Sequence, residues 1–324
     1  AGLASPALAF WSLQGHALSP ALIFAAAAWV AAAGGIEQPS RASSLISLVP
    51  RDEFPRAVSL AATLQSLAFA SGPALAGMLL AVIAPGWVYG LHAVLLATSA
   101  LLLASLPPAQ PQVDEPSRPV RDLIEGARFV VSRKAVIGCM SLDMVAVIFG
   151  GAAALLPVYA KEILHAGPRG FGLLSAAGEV GALGMSLFLA SRPAIIRAGT
   201  TLLATVVAYG AATIAFGLSR WLPLSLAAYA LVGAADQVSV VLRHTVVQLA
   251  TPDPLRGRVS AINMIFIHAS NQLGAFESGA LAAATSAPFA VVFGGIAAIV
   301  TALAMAGLNR ELRQYRVDTG AAGG

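Results

Sequence analysis

The chain has 324 residues, of which 58% are hydrophobic and 10% charged, and its formal net charge is +4. Such a composition leaves too little polar surface to cover a soluble globule and therefore indicates an integral membrane protein. The basic residues form no cluster interleaved with aromatic residues, so nucleic acid is not an expected partner. The single cysteine, Cys139, excludes a disulfide framework and a cysteine-based metal site, and no cofactor is expected.

Long apolar runs follow one another along the chain, separated by prolines and glycines. A helix rises ~1.5 Å per residue, so about 20 residues cross ~30 Å of hydrocarbon. A membrane β-barrel would instead show short segments of alternating polarity. The sequence thus predicts an all-α membrane protein. After a shorter run at 1–14, the predicted spans lie at 18–35, 57–84, 87–106, 135–160, 170–190, 195–218, 221–249, 259–284 and 287–308.

The distribution of Lys and Arg among the connections predicts the orientation of the spans. Alternate connections lie on opposite sides of the bilayer, and the cytoplasmic side carries the excess of basic residues. Fifteen Lys and Arg fall in one set of connections, three fall in the other, and Arg243 lies inside a span. The richer set includes the C-terminal tail, which is therefore predicted to be cytoplasmic.

Two stretches of the chain resemble each other at an offset of 202 residues. LVPRDEFPRAVSL begins at Leu48 and ATPDPLRGRVSA begins at Ala250. Both copies begin on the same predicted side, so the repeat is parallel. The matching pairs include Arg41 with Arg243, Pro50 with Pro252, Gly72 with Gly274 and Gly77 with Gly279.

The repeat predicts two parallel six-helix halves. In the second half, the spans at 135–160 and 170–190 precede the counterpart of residue 1, so about the first two and a half helices of the first half are expected to be missing. The predicted domains are the remainder of the N-terminal bundle (1–106), a cytoplasmic linker with an amphipathic helix (107–134), a six-helix bundle (135–308) and a cytoplasmic tail (309–324).

Two parallel six-helix halves are the plan of the major facilitator superfamily. The stretches EGARFVVSR, GFGLLSAAGEVGALG and NQLGAFESGALAA resemble its enterobactin-exporter-like branch, the transmembrane secretion effector group. The resemblance implies a monomer in a bacterial inner membrane that exports a siderophore or an amphipathic drug-like compound by alternating access. The implied partners are a small-molecule substrate, protons as the coupling ion and the lipid bilayer.

The stretch SGPALAG, at 71–77, resembles the Gly-Pro antiporter motif of the fifth helix. Gly72 and Gly77 would let a neighbouring backbone approach closely, and Pro73 would bend the helix where the halves slide. Ordinary packing of small residues explains the same pattern. Both interpretations place the side of the helix that carries Gly72 and Gly77 against protein.

Polar residues within the spans are candidates for a substrate or proton pathway, because burying them in lipid is costly. By helix rise, Glu179 lies about 13–15 Å from the outer face and His268 about 15 Å from the cytoplasmic face. Glu179 either exchanges protons or is a structural carboxyl. His268, Asn271 and Gln272 share one helical face, where they either line a cavity or hydrogen-bond a neighbouring helix. Glu277 is a second candidate near the outer end of its helix, where solvation at the rim explains it most simply.

Four charged residues suggest a cytoplasmic gate. Asp143 and Asp236 both lie about 11–12 Å from the cytoplasmic face and could share this gate. Arg243 and its repeat counterpart Arg41 are expected to be interfacial anchors or members of a gate ion pair.

The segment that begins at Val120 has an apolar face opposite its charges, which predicts a helix along the membrane surface that tethers the halves.

Two other functions remain open from the residues alone. A lipid or lysophospholipid translocator would use the same fold, and a non-transporting fragment is also compatible with the sequence. A membrane-embedded enzyme is not expected, because motifs for a nucleophile, a metal or a phosphate-binding loop are absent from the sequence.

Overall fold

The computed structural model divides the chain into two compact units, Ala1–Pro116 and Ser117–Gly324. The division falls within the proline-rich connection between the two predicted halves. The structure describes residues 25–26, 28–29, 32, 60, 64, 67–68, 71–72, 75–80, 82–105, 119–192 and 195–316.

In the first unit, helix α1 comprises Pro85–Ala104. Pro85 occupies the first helical position, where its missing N–H costs no hydrogen bond. At the other end, the Ser105 hydroxyl donates to the Leu102 carbonyl at 2.6 Å. This helix confirms the predicted span at 87–106. The described residues within 25–32 and 60–80 are also helical, as predicted.

The helices of the second unit follow the predicted spans closely. Prolines stand in the first turn of four of them, at Pro119, Pro168, Pro223 and Pro288, where they favour helix initiation. These helices are α2 (Pro119–Ser132), α3 (Lys134–Gly150), α4 (Gly167–Ala190), α5 (Ala198–Leu218), α6 (Leu222–Ala250), α7 (Arg256–Ala284), α8 (Ala287–Leu308) and α9 (Arg310–Arg313).

Six helical segments of the described residues are long and apolar enough to cross a membrane. They are α1, the segment Lys134–Ile163 that begins with α3, α4, α5, α6 and α8. Helix α7 has 29 residues, which is also sufficient length, but its middle is more polar. Because unpaired polar side chains are unfavourable in lipid, one side of α7 must face protein or water.

The helix predicted over 135–160 is interrupted at Gly151, whose ψ of 52° is not helical. Pro157 follows, and its missing N–H prevents a regular helical hydrogen bond. The sequence therefore predicted the length of this segment correctly but not its break. After Gly151 the chain forms a 3-10 turn at Ala152–Leu155, an α-helical turn at Leu156–Val158 and a π-helical turn at Tyr159–Ile163.

Tyr159 anchors the π-helical turn within the unit. Its hydroxyl donates to the Gly217 carbonyl at 2.9 Å, and its ring stacks on Phe216 with centroids 4.6 Å apart. Both partners lie on α5. The irregular segment is thus fixed by tertiary contacts that replace the missing regular ladder.

Glycines set the closest approaches between the helices of the second unit. On α8, Gly294 lies so near the Phe149 carbonyl of α3 that a Cβ would overlap that oxygen. On the same helix, Gly295 lies against Gly210 of α5. Lipid tails are as apolar as the side chains, so this close van der Waals packing is what holds the helices together.

Helix α2 packs against α7 within the second unit. Arg258 Nη1 is 2.8 Å from Glu125 Oε2, and a Cβ on Gly126 would overlap the Arg258 backbone carbonyl. Val130 is buried, whereas Ile124 and Val131 are exposed. The apolar face of α2 is therefore shared between the helical bundle and its surroundings, as suits a helix at a membrane surface.

The last described residues form a packed cap on the bundle. The Asn309 side chain accepts a hydrogen bond from Leu312 N–H and donates one to the Lys134 carbonyl, both at 2.9 Å. Leu312 is fully buried, and the Tyr315 carbonyl accepts from Gly199 N–H at 3.2 Å. The first part of the predicted tail is thus part of the bundle.

We expect Gly294→Ala to lower the stability of the protein by about 1–3 kcal/mol, because the added methyl group forces α8 away from α3. Thermal unfolding in detergent measures the effect. Gly307→Ala on the same helix is the matched control, since a Cβ there has no neighbouring atom within 4 Å. Equal melting temperatures for the two variants would contradict the close approach.

Candidate functional site

A buried ion pair joins α3 to α6. Arg243 Nη1 contacts Asp143 Oδ1, and the two residues are 4% and 9% exposed. Asp143 lies nine residues from the start of α3, and Arg243 lies seven residues from the end of α6. A charge at such a depth requires a partner of opposite charge, because transfer of a lone ion from water is too costly.

The pair leaves part of the Arg243 guanidinium unsatisfied. Its Nε is buried and has no hydrogen-bond partner among the described residues. Cys139, one turn before Asp143 on α3, lies close enough for an electrostatic interaction with Arg243 but supplies no charge as a thiol. Arg243 therefore keeps donor capacity that a second carboxylate could use.

Asp236 does not share the ion pair of Asp143. It lies at the midpoint of α6, seven residues before Arg243 and hence on the same face of the helix. Asp236 is exposed, whereas Asp143 and Arg243 are buried. Of the four predicted gate residues, the structure joins Asp143 to Arg243 and places Asp236 apart, while Arg41 lies outside the described residues.

Glu179 and Asp236 form an acidic couple across α4 and α6. They are close enough to interact electrostatically. The two helices touch at the residue before Glu179, because a Cβ on Gly178 would lie 2.8 Å from the Tyr229 ring and Gly233 packs on the Gly178 carbonyl. This contact sets Glu179 beside α6.

Two tyrosines accompany the acidic couple, and the sequence analysis missed both. Tyr209 on α5 and Tyr229 on α6 lie within electrostatic range of Asp236. The Tyr209 hydroxyl donates to the Gly150 carbonyl at 2.9 Å, at the point where α3 ends. A tyrosine in the middle of an apolar span indicates a polar contact between helices, because its hydroxyl needs a hydrogen-bond partner there.

The polar side chains of α7 form a stripe on its exposed side. His268, Asn271 and Gln272 are all exposed and lie within about 100° of one another around the helix. Among the described residues, no hydrogen bond joins any of them to a neighbouring helix. The opposite face is used for packing, because Gly274 lies against the Val147 carbonyl of α3.

Beside the polar stripe, the exposed surface of α7 becomes apolar. Ile265, Leu273 and Phe276 are exposed at 51%, 55% and 76%. These two neighbouring surfaces suit different surroundings, lipid for the apolar one and water for the polar one. Glu277 lies seven residues before the end of the helix, where it accepts a hydrogen bond from the Ser278 hydroxyl at 3.4 Å.

The antiporter-like motif is described only in part. Gly77 is buried, in line with a packed face. Gly72 is exposed, and a Cβ there would have no described neighbour within 4 Å; most of residues 1–81 lie outside the described residues, so the close approach at Gly72 stays a prediction. Pro73 lies outside the described residues.

Comparison with known proteins gives consistent results. The family described as transmembrane secretion effector matches residues 3–320. The chain is 27% identical to the enterobactin exporter EntS of Citrobacter koseri over 270 residues, 83% of this chain and 65% of the exporter. It is 26% identical to the enterobactin exporter EntS of Escherichia coli O1:K1 over the same shares of the two chains. The chain thus spans just under two thirds of the length of these relatives.

A solved structure confirms the predicted fold. The bacterial homolog of the human lysosomal transporter Spinster, in an inward-facing and unoccupied conformation, has a TM-score of 0.61 and 14% sequence identity. The match covers 96% of this chain and 80% of the other. At this identity the likeness concerns the fold alone.

We expect Arg243→Met to lower stability by about 3–5 kcal/mol, because it leaves the Asp143 carboxylate buried without its partner. The double variant Asp143→Leu/Arg243→Met removes both charges and should recover much of the loss. Thermal unfolding in one detergent and lipid mixture compares the variants. Losses that simply add in the double variant would show that the two side chains do not act as a pair.

We expect Asn271→Cys to react rapidly with a water-soluble maleimide and Leu273→Cys to react slowly, because a thiolate forms readily only where water reaches the sulfur. Both variants are made with Cys139→Ala, which removes the native thiol. Labelling rates in membrane vesicles measure the difference. Equal rates at the two positions would refute the division of α7 into polar and apolar surfaces.

Proposed function

Because this chain belongs to the transmembrane secretion effector family of the major facilitator superfamily, we propose that it acts as a secondary transporter that exports small molecules from the cell. It is a multi-pass membrane protein with the superfamily's fold, and it is not an enzyme, since its family and relatives are transporters. The observation that carries the proposal is the family match over residues 3–320.

The proposed substrate is a siderophore or an amphipathic drug-like compound. The similarity to enterobactin exporters supports the siderophore, and the polar stripe of α7 supplies hydrogen-bonding groups suited to a polar substrate. In this proposal His268, Asn271 and Gln272 line the substrate path, and Glu277, at least about 120° away around α7, is a separate candidate near the outer end of the helix. The protein acts as a monomer in a bacterial inner membrane with its C-terminus in the cytoplasm.

Protons are the proposed coupling ion, and Glu179 and Asp236 are the proposed carriers. Two neighbouring carboxylates at mid-helix depth are costly to keep charged together, and in this proposal a transported proton neutralises one of them. A cationic or strongly hydrogen-bonding substrate would stabilise the couple with both carboxylates charged. The proton would then leave. Alternating access would then link proton release on one side to substrate release on the other.

The ion pair of Asp143 and Arg243 is the proposed gate. Arg243 shares its helical face with Asp236, and its Nε has spare donor capacity among the described residues. When Asp236 loses its proton, it attracts Arg243 along α6 and weakens the contact with Asp143. The proton on the acidic couple would in this way control the connection between α3 and α6. Arg41 is proposed to act as the counterpart of Arg243 in the first half.

The antiporter-like motif is proposed to serve as a sliding surface. Gly72, Pro73 and Gly77 would permit one helix to move against its neighbour during the change of access.

Transport in proteoliposomes tests the proposed function. We expect accumulation of a catecholate siderophore, driven by an imposed pH gradient and accompanied by proton movement. Transport of lysophospholipid alone would favour the lipid translocator, and no transport of either compound or of a cationic drug panel would favour the non-transporting interpretation.

We expect Glu179→Gln to abolish the proton movement and to lower uphill transport at least tenfold, since the amide cannot carry a proton. Asp236→Asn should have a similar effect. The matched control is Glu162→Gln, which changes an exposed carboxylate at the end of the π-helical turn. Full coupling in Glu179→Gln, measured with a pH-sensitive dye inside the vesicles, would remove Glu179 from the proton pathway.

A further inference from the structure

A basic cavity lies at one end of the second unit, apart from the acidic couple and the ion pair. Its volume is about 550 Å³. Three of the six lining residues are arginines and none is acidic. The lining consists of Arg197, Thr200, Arg313, Gln314, Tyr315 and Arg316.

Two parts of the chain build this arginine cavity, and both are anchored. One is the start of α5, where Arg197 is the N-cap residue and Thr200 lies in the first turn. The other is the capping segment, residues 309–316, which follows α8. Gly199 packs against the Leu312 carbonyl, and Gly199 N–H donates to the Tyr315 carbonyl at 3.2 Å. These backbone contacts join the two segments that carry the arginines, whose side chains are exposed.

The cavity has an excess of positive charge. Arg313 uses one nitrogen to donate to the Ala306 carbonyl at 3.0 Å. In the described part of the chain, no carboxylate forms an ion pair with Arg197, Arg313 or Arg316. The start of α5 adds the partial positive charge of a helix N-terminus. Glu311 does not line the cavity, and Asp318, two residues after Arg316, lies outside the described residues.

The neutral groups of the lining can complete the coordination of an anion. Burial raises the pKa of Tyr315, so its phenol remains protonated at neutral pH and can donate a hydrogen bond. The Thr200 hydroxyl and the Gln314 amide are further donors. Several guanidinium groups with such neighbours match the oxygens of a phosphate, which accepts paired hydrogen bonds from arginine.

The position of the cavity indicates where such a phosphate comes from. Arg197 immediately precedes one membrane span, α5, and Arg313 follows the end of another, α8, by only five residues. The cavity therefore lies at the level of lipid headgroups. Its volume falls within the range of roughly 300–1,000 Å³ that is usual for small-molecule sites.

We propose that the arginine cavity binds the phosphate of an anionic phospholipid headgroup and so fixes a lipid between α5 and the capping segment. The site is independent of the transported substrate. Basic pockets between membrane helices are a known setting for anionic headgroups, and here the capping segment would depend on the lipid for part of its stability.

Binding of defined lipids to the purified full chain tests the proposal. Phosphatidylglycerol should bind and raise the melting temperature in detergent, whereas phosphatidylcholine should not. The double variant Arg197→Gln/Arg316→Gln should bind phosphatidylglycerol at least about tenfold more weakly, as expected for lost charge-assisted hydrogen bonds. Inorganic phosphate, tested alone, identifies the source: stabilisation by both supports a phosphate site open to free anions, and stabilisation by the lipid alone supports a headgroup site.

Arg192→Gln is the matched control. Arg192 lies in the same connection before α5, but its guanidinium sits over the Phe188 ring at 4.9 Å and does not line the cavity. An equal loss of lipid binding in Arg192→Gln would reduce the effect to general surface charge and overturn the proposal. Equal stabilisation by the two lipids, or unchanged binding in the double variant, would overturn it as well.

Discussion

A charge inside a membrane span has no water to stabilise it. This constraint determines how the helices at the centre of the second unit are placed. Arg243 can lie within α6 only because Asp143 meets it from α3. The pair therefore fixes the relative rotation and height of two helices that are a hundred residues apart. The other features of the candidate site are arranged around this contact, with Asp236 two turns away on the face of α6 that carries Arg243.

The charges depend in turn on the close packing of small residues. Glycines bring α4 against α6 and α3 against α8, so the helices form a frame that bends little. The contact of α4 with α6 keeps Glu179 and Asp236 near one another. Close packing of small residues thus decides which charged side chains meet.

Much of the fold could be predicted from the sequence. The length of each apolar run predicts the length of a helix, and the prolines between runs predict where helices begin and end. The predicted span at 287–308 coincides with α8, and those at 195–218 and 221–249 differ from α5 and α6 by three residues or fewer at each end. The break at Gly151 was not predicted, because it depends on a site for Tyr159 formed by Phe216 and Gly217, nearly sixty residues away.

The sequence predicts how deep each site residue lies in the membrane, but it does not predict which neighbouring helix the side chain faces. Counting residues along a helix gives similar depths for Asp143 and Asp236 and places Arg243 two turns nearer the cytoplasmic face. It does not give the rotation of each helix about its axis, which packing decides. The sequence therefore grouped Asp143 with Asp236, whereas the structure pairs Asp143 with Arg243 and sets Asp236 beside Glu179. Tyr209 and Tyr229 escaped notice for the same reason.

The Asn309 contact has a consequence for the order of events during synthesis. Its side chain bonds the carbonyl of Lys134, 175 residues earlier, at the very start of α3. Ribosomes add about 5–20 residues per second, so α3 waits roughly 9–35 s in the membrane before this partner exists. Throughout that interval α3 lacks its last neighbour. The insertion machinery or the surrounding lipid must cover the start of α3 until Asn309 packs against it.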